Sequence, residues 1–560
     1  MRLDDLLDKM PAIGHRTVVL ELDLARGLLE VRPNNPLKAM QALNATSMVA
    51  LRHRLHEAAQ DQRVAGLIVH AVNPGQPLAV LDEAAQLIEA FGEHHPTAAW
   101  AESFGEMANS LGAFKLASAA QQVWVQPTGY VGLGGVELSI VLLKGMLNKA
   151  GVVPQFGQRK EYKSAADQYA ADHVTDANRE MMTRIGESLV DDAVATIARR
   201  RGLEPGVVRQ AVDESPLTAQ RALELGLVDH VGYRDELYAA CLGQWGASPE
   251  HLRFVQRWQP RPRLGKSLRR HREKVAVVTL RGAIVTGRGA GGIGSESAGA
   301  DVVDEQLRAC MRDDSVKAVL FEIDSPGGSA VASDFIRRSV LNLRASGRPV
   351  VARMGNVAAS GGYYAAMGCT EIVAQPTTLT GSIGVLAGKL VTRGLFDKLG
   401  LVREPVRVGA RSGMLSSATE FTSDDWAKLD EMLDRIYDDF TRFAAADRGM
   451  THEELEPLAR GRVWTGADAA ERGLVDHLGG WRKAFERACV LADLDPEDAG
   501  VARVGHLGPI ERLFPANSSE SRSAAAFLPV AGEDLLQQAA ARLGIGFPGV
   551  LALPFRIDIR

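Results

Sequence analysis

Two hydrophobic patterns alternate along this chain. Short apolar runs, such as those beginning at Val64 and Val316, are typical of strands buried on both faces of a sheet. Between them lie segments with apolar residues at helical spacing, such as residues 78–91. Strands that alternate with helices predict βαβ units and a mainly parallel sheet. The pattern therefore predicts an α/β fold.

The same order of segments occurs twice. The segment that begins at Leu217 (LTAQRALELGLVDHVG) matches the one that begins at Trp464 (WTGADAAERGLVDHLG), and Ser110 aligns with Ser360. Chance does not keep several matches in one register, so the repeat indicates two tandem copies of one domain. We predict a leader at residues 1–16, a first copy at 17–255, a basic linker at 256–273, a second copy at 274–490 and a partly flexible tail at 491–560.

Composition excludes several classes of function. The 560 residues carry a formal net charge of -5, which argues against a general nucleic-acid binder. The four cysteines are far apart and predict neither a disulfide scaffold nor a zinc site. The charged N-terminal segment lacks the apolar core of a signal peptide, and no apolar run of about 18 residues predicts a membrane span. We expect a cytoplasmic chain or one held peripherally on a membrane.

The candidate nucleophile is Ser360, in the sequence AASGGYY. A serine that attacks a carbonyl needs space around its Oγ and a backbone N–H that can hold the oxyanion, and the small neighbours including Gly361 provide both. Residues compatible with a helix follow, so Ser360 is predicted at a helix N-terminus, where N–H groups favour negative charge. Taken alone, the motif also fits a glycine-rich turn before a buried helix.

Differences between the copies favour the catalytic interpretation. In the first copy Ser110 is followed by Leu111, and Leu133 stands where the second copy has Ser382. A leucine in place of glycine removes the space that a substrate backbone needs. The first copy is therefore predicted to have lost its nucleophile site.

Lys163 shows the opposite difference. Aligning GQRKEYKSAAD with GARSGMLSSAT places Lys163 opposite Leu415 of the second copy. One copy keeps a lysine and the other keeps Ser360, as expected for a single active site assembled across both copies as a serine–lysine dyad. The lysine must be neutral to accept a proton, and burial between the copies would lower its pKa from about 10.4. Ser382 could orient it, although Lys163 alone also fits a surface lysine.

The oxyanion needs two N–H donors. Gly361 follows the nucleophile and supplies one. The glycine-rich turn DSPGGS after the strand at Val316 is predicted to supply the other, from Gly327 or Gly328, because glycine allows close approach of the backbone. The same turn also fits an ordinary strand connection, and the pairing with Ser360 favours the oxyanion role.

Four motifs together resemble the signal peptide peptidase A family, also called protease IV, in its long, duplicated form. They are DSPGG at Asp324, ASGGYY at Ala359, TGSIGV at Thr380 and YKSA at Tyr162. The resemblance implies a ClpP/crotonase-like α/β fold. It also implies that Ser360 is the nucleophile, that Lys163 is the general base and that Ser382 supports the lysine.

The resemblance further implies a homotetramer that cleaves signal peptides and other unfolded hydrophobic peptides without a metal or cofactor. Many bacterial members carry an N-terminal membrane anchor, which is not evident here, so a soluble or peripherally bound peptidase fits equally. We expect the peptide to bind by adding a strand to a sheet edge. Two alternatives stay open, namely a crotonase-like acyl-CoA enzyme that relies on carboxylates, and a non-catalytic scaffold.

Overall fold

The computed structural model describes residues 17–30, 45–72, 75–106, 109–260, 273–289, 297–504 and 551–552. The predicted leader, most of the predicted linker and most of the predicted tail lie outside these described residues. Within the described ranges, no helix combines the length and the apolar character that crossing a bilayer requires.

The first copy contains short strands and helices in alternation. Its strands are β1 (Val18–Asp23), β2 (Leu28–Leu29), β3 (Thr46–Ser47), β4 (Val64–His70), β5 (Thr97–Ala101), β6 (Gln122–Val125), β7 (Tyr130–Val131), β8 (Val153–Arg159), β9 (Leu217–Thr218), β10 (His230–Val231) and β11 (Leu252–Phe254). Its helices are α1 (Met48–Ala59), α2 (Leu78–Gly92), α3 (Leu111–Ala117), α4 (Lys144–Ala150), α5 (Asp167–Ala170), α6 (Asp176–Arg201), α7 (Pro205–Glu214), α8 (Ala219–Glu224) and α9 (Arg234–Gln244).

The rest of the chain repeats this order. Its strands are β12 (Lys274–Arg281), β13 (Ala283–Val285), β14 (Ser297–Gly299), β15 (Val316–Ser325), β16 (Gly327–Gly328), β17 (Val350–Ala359), β18 (Glu371–Ala374), β19 (Leu379–Gly381), β20 (Val385–Val391), β21 (Val463–Thr465), β22 (His477–Leu478), β23 (Gly500–Arg503) and β24 (Leu551–Ala552). Its helices are α10 (Ala300–Arg312), α11 (Ala330–Ala345), α12 (Gly361–Met367), α13 (Arg393–Lys398), α14 (Ser423–Arg448), α15 (His452–Leu455), α16 (Gly466–Glu471) and α17 (Trp481–Leu491).

Each copy is built on a parallel sheet. In the first, six strands lie in the order β10-β6-β5-β4-β1-β11, and every pair is parallel. In the second, the order is β21-β19-β17-β15-β12-β23, and β18 pairs with β17 and with β22. Among the described strands of this sheet, only the β19–β21 pair is antiparallel. β23 belongs to the segment predicted as a tail, so that segment extends the second sheet by one strand. The central strands β4, β5 and β15 are largely buried on both faces, which explains their continuous apolar runs.

Two long helices, one in each copy, begin and end in the same way. Helices α6 and α14 each span 26 residues. A threonine caps each N-terminus by accepting a backbone N–H, Thr175 in one and Thr422 in the other. Each helix ends at a glycine in the left-handed conformation, Gly202 with φ 64° and Gly449 with φ 65°, which residues with a Cβ rarely adopt.

The two copies are joined by a shared ribbon and by buried ion pairs. Strand β8 of the first copy pairs antiparallel with β20 of the second, from Val385 opposite Arg159 to Val391 opposite Val153. Glu83 on α2 forms an ion pair with Arg353 of β17, and both side chains are almost fully buried. Because a buried ion is stable only when it is paired, this contact fixes how the copies meet.

Candidate active site

Ser360 lies in a strained turn between a strand and a helix. It follows β17 and caps α12, with φ 54° and ψ -114°. Its N–H donates to the Gly381 carbonyl at 2.8 Å, so the end of β19 holds this conformation. Non-glycine residues at positive φ cost free energy and cluster at functional sites. The predicted helix N-terminus at Ser360 is thus present, and the turn presents its side chain beside the second copy's sheet.

Lys163 reaches Ser360 from the other copy. It follows β8, whose pairing with β20 carries the first copy's chain to the second copy's sheet. Its Nζ lies 2.9 Å from Ser360 Oγ, 2.8 Å from Ser382 Oγ and 2.9 Å from the Ser382 carbonyl oxygen. The structure therefore brings together the three side chains that the sequence predicted.

The site is closed to solvent, and this burial sets the pKa of Lys163. Lys163, Ser360 and Ser382 are each fully buried. Burial lowers the pKa of Lys163 well below its ordinary value of 10.5, and among the described residues no carboxylate offsets that effect. Lys115 is the matched contrast, because ion pairs with Asp82 and Asp192 raise the pKa of this equally buried amine despite its burial. Of these two buried lysines, Lys163 is the one whose pKa is lowered.

The glycine-rich turn lies against the residue that follows Ser360. A Cβ added to Gly361 would lie 3.1 Å from the Gly328 nitrogen, so the two backbones are close. Gly327 has φ 103°, and its N–H donates to Ser325 Oγ at 3.1 Å. Ser325 Oγ in turn donates to the Gly282 carbonyl at 2.7 Å. The N–H of Gly327 is therefore engaged by Ser325.

The corresponding place in the first copy has a different geometry. The N–H of Ser110 donates to the Gly132 carbonyl at 2.8 Å, as Ser360 does to Gly381. Its φ is -135°, however, and the Leu111 that follows is buried. The turn that presents Ser360 is absent at Ser110.

Sequence reasoning missed the turn that covers the lysine. Gly461 has φ 81°, and a Cβ there would lie 2.5–2.7 Å from the backbone and Cβ of Lys163. The neighbouring Arg462 accepts the N–H of Ser382 on its carbonyl at 2.7 Å. The same comparison of the copies contained a signal for this turn, because Glu214 of the first copy aligns with Gly461.

The structure describes two histidines in the second copy, and both have partners other than Ser360. His452 contacts Thr441 at 3.2 Å and His477 contacts Glu371 at 3.2 Å, both away from Ser360. Across the part of the chain that the structure describes, no group of three or more histidine, cysteine or carboxylate side chains is arranged to hold a metal ion.

Comparisons with known proteins place this chain among its relatives. The family model for peptidase family S49 matches residues 92–244 and 342–495, once in each copy. The chloroplastic serine protease SPPA of Arabidopsis thaliana is 30% identical over 68% of this chain. The match spans 57% of the length of that relative. Protease 4 of Salmonella typhi is 29% identical over 81% of this chain and 73% of its own length.

Among solved structures, a ClpP1 mutant from Listeria monocytogenes matches 37% of this chain and 93% of its own, at 14% identity and a TM-score of 0.25. The two family matches confirm the prediction of two tandem copies of one domain and the resemblance to the protease IV family, and the strands and helices of both copies confirm the α/β class. They also confirm the assignment to the serine peptidases. This chain belongs to peptidase family S49.

Proposed function

We propose that this chain is a serine endopeptidase whose Ser360–Lys163 dyad is assembled across the two copies. The observation that carries the proposal is the 2.9 Å approach of Lys163 Nζ to Ser360 Oγ in a fully buried site. A neutral amine has two N–H donors and one lone pair. Donation to the carbonyl oxygen and Oγ of Ser382 leaves the lone pair for the Ser360 hydroxyl proton.

The reaction then follows acyl transfer. Lys163 takes the hydroxyl proton as Ser360 Oγ attacks the scissile carbonyl, and it returns that proton to the leaving amine. Water next attacks the acyl-enzyme and gives a proton to the same lysine, and collapse of the second tetrahedral intermediate returns the proton to Ser360. Lys163 therefore ends each cycle neutral. Ser382 keeps the Lys163 amine aimed at Ser360 throughout the cycle.

Two backbone donors would stabilise the oxyanion. Gly361 is the first residue of α12, where N–H groups lack partners within the helix. Gly328 is preferred to Gly327 for the second donor, because the Gly327 N–H already donates to Ser325 Oγ. The closeness of Gly361 to the Gly328 nitrogen supports a shared oxyanion site.

We propose that substrates are extended peptides, namely signal peptides or other unfolded hydrophobic segments. Strand β24 supports this, because Leu551–Ala552 pairs antiparallel with Gly327–Gly328 beside the proposed oxyanion site. The edge of this turn can therefore accept an added strand, the mode in which many peptide-binding proteins hold their ligands. A structure with bound peptide should show main-chain pairing to this edge, and a peptide held without such pairing would contradict the proposal.

The test of the activity is hydrolysis of casein by purified protein. We expect Ser360→Ala and Lys163→Ala to lose activity, whereas two matched controls should keep it. Ser110→Ala removes the serine aligned in the first copy, and Lys160→Ala removes an exposed lysine three positions from Lys163. Full activity of Lys163→Ala would place the base elsewhere. Thioester hydrolysis that survives Ser360→Ala would favour an acyl-CoA enzyme, and an inactive wild type would favour a scaffold.

We also propose a homotetramer in which chains join head to tail. Ala79 and Glu83 of α2 are buried, and Glu83 pairs with Arg353 of the second copy. The aligned positions on α11 are Val331 and Phe335, which are 74% and 42% exposed. The second copy thus presents the face that the first copy buries.

The first copy presents the complementary edge. Trp100 of the first copy is the counterpart of Arg353 in the second, because Trp100 lies opposite His70 in one sheet as Arg353 lies opposite Glu322 in the other. The surface beside Trp100 includes Tyr233, which is 48% exposed. Because the two faces differ, their contact is heterologous and can close a ring.

The molecular mass in solution tests this assembly. Light scattering after size-exclusion chromatography should give a tetramer for the wild type and smaller species for Phe335→Glu. Met432→Glu is the control, since Met432 is 48% exposed on a different helix. A Phe335→Glu protein of unchanged mass would contradict the interface. Peripheral contact with a membrane stays a prediction.

A further inference from the structure

Strand β17 contains a bulge just before the proposed nucleophile. Along β15 and β17, Ile323 lies opposite Met354, but Ser325 lies opposite Ala358. Asp324 alone therefore faces three residues, 355–357. Before the bulge β17 pairs with β18, and after it β17 pairs with β19. Bulges of this kind bend a strand and re-aim the residues that follow it.

The side chain of Asp324 fills this bulge. Its Oδ1 accepts the N–H of Val357 at 3.1 Å. A Cβ at Gly355 would lie 2.9–3.1 Å from side-chain atoms of Asp324, so glycine is needed where the carboxylate enters. The bond to Val357 lies three residues before Ser360, and it satisfies an N–H that the interrupted ladder leaves unpaired.

The other carboxylate oxygen connects to the first copy. Asp324 Oδ2 lies 3.3 Å from Arg281 Nη1, which lies 2.7 Å from Glu30 Oε2 of the first copy. Burial and the nearby Glu30 raise the pKa of Asp324 above its usual range. The carboxyl is therefore held between the copy that carries Lys163 and the strand that carries Ser360.

The first copy lacks this arrangement. Val72 aligns with Asp324, so the first copy has no carboxylate at this position. Strand β5 ends at Ala101, well before Ser110, whose φ is -135°. The copy without the carboxylate thus also lacks the turn that presents the serine.

We propose that Asp324 is a positioning residue for Ser360: its carboxyl holds the bulge of β17 and thereby the strained turn that presents the nucleophile. The proposal rests on the proposed peptidase function. The role of Asp324 is distinct from the oxyanion role proposed for the glycines of the same motif, since Asp324 acts through Val357. A strained φ persists only where the surroundings over-determine it, and the Val357 bond is one such restraint.

Steady-state hydrolysis of a casein-derived peptide tests the role. Asp324→Ala loses the acceptor and should lower kcat about a hundredfold with little change in KM, because small misplacement of a reacting group has that effect. Asp324→Asn keeps an oxygen for the Val357 N–H and should restore most of the activity. Glu322→Gln is the control, since Glu322 lies on the same strand and contacts Thr279 and Arg503 rather than the bulge. It should leave kcat unchanged.

Melting temperatures separate positioning from stability. Should Asp324→Ala fail to fold, Gly355→Ala perturbs the same bulge and should also lower kcat. The proposal is overturned if folded Asp324→Ala retains wild-type kcat, or if Asp324→Asn is as inactive as Asp324→Ala. Ser360→Ala in the same series tests the peptidase proposal separately. Hydrolysis at the wild-type rate by Ser360→Ala, or an inactive wild type, would contradict that proposal rather than the role of Asp324.

Discussion

Gly361→Ala perturbs the proposed oxyanion site with the smallest possible change. The added Cβ would lie 2.6 Å from Ser333 Oγ and 3.1 Å from both Gly327 Cα and the Gly328 nitrogen. The first separation is too short for a real contact, so the Ser333 side chain must turn away or the helix must shift. The two contacts at 3.1 Å are with backbone atoms, so the turn or α12 must also give by a few tenths of an ångström. Since the turn carries the Gly328 donor, the methyl group would separate the two N–H groups that must converge on one oxygen.

The magnitude follows from the loss of one donor. Removing a single oxyanion donor lowers kcat by about 10²–10³, or about 2.7–4 kcal/mol of transition-state stabilisation. We expect Gly361→Ala to fall in this range, with KM little changed because the donors act on charge that develops in the transition state. The assay is steady-state cleavage of a fluorogenic peptide, with circular dichroism to confirm folding.

Two further variants isolate the steric cause. Gly368→Ala, at the other end of the same helix, would meet the flexible Arg337 side chain first, at 3.2 Å, and should stay active. Ser333→Ala removes the 2.6 Å contact, so adding it to Gly361→Ala should restore part of kcat. A folded Gly361→Ala protein within about threefold of wild-type kcat would refute the oxyanion reasoning.

Two more predictions follow from buried charges. The kcat/KM of the wild type should fall as pH drops through the pKa of Lys163, because a protonated amine cannot accept the serine proton. Burial lowers this pKa well below 10.5, so the fall in kcat/KM should also lie well below pH 10.5. Activity that rises only near pH 10.5 would contradict a neutral lysine. Glu83→Ala leaves Arg353 buried without its closest carboxylate and should lower the free energy of unfolding in urea by about 3–5 kcal/mol. Lys428→Ala, which breaks a surface pair with Glu431, should change it by less than about 1 kcal/mol, and an equal effect of both variants would show that the buried pair does not hold the copies together.

Much of the fold could be predicted because the same pattern of strands and helices occurs twice in the sequence. Apolar runs such as Val64–His70 predicted buried parallel strands, and the structure places them in two parallel sheets. Comparison of the copies located Ser360, Lys163 and Ser382, whose polar atoms lie within hydrogen-bonding distance. The signal was a difference between aligned positions, which is available only in a duplicated chain. The catalytic roles of the three residues stay predictions.

Contacts distant in sequence could not be predicted. The pairing of β8 with β20 depends on how the copies dock, and nothing in either strand specifies its partner. The bulge opposite Asp324 is a register shift between two strands, which no hydrophobic pattern encodes. Gly461 covers Lys163 although the two are far apart in sequence, so its alignment with Glu214 marks a difference between the copies without showing which residue the glycine covers. The choice between Gly327 and Gly328 likewise depended on a bond to Ser325.

The most direct test of the cross-copy dyad is the kcat of the double variant Ser360→Ala/Lys163→Ala beside each single variant. If the two side chains act as one unit, each single change removes the same step. We therefore predict that all three variants share one residual rate, and that the double variant is no slower than either single variant. A double variant slowed by the product of the two single effects would show that Lys163 and Ser360 contribute independently, and it would contradict a single site built from both copies.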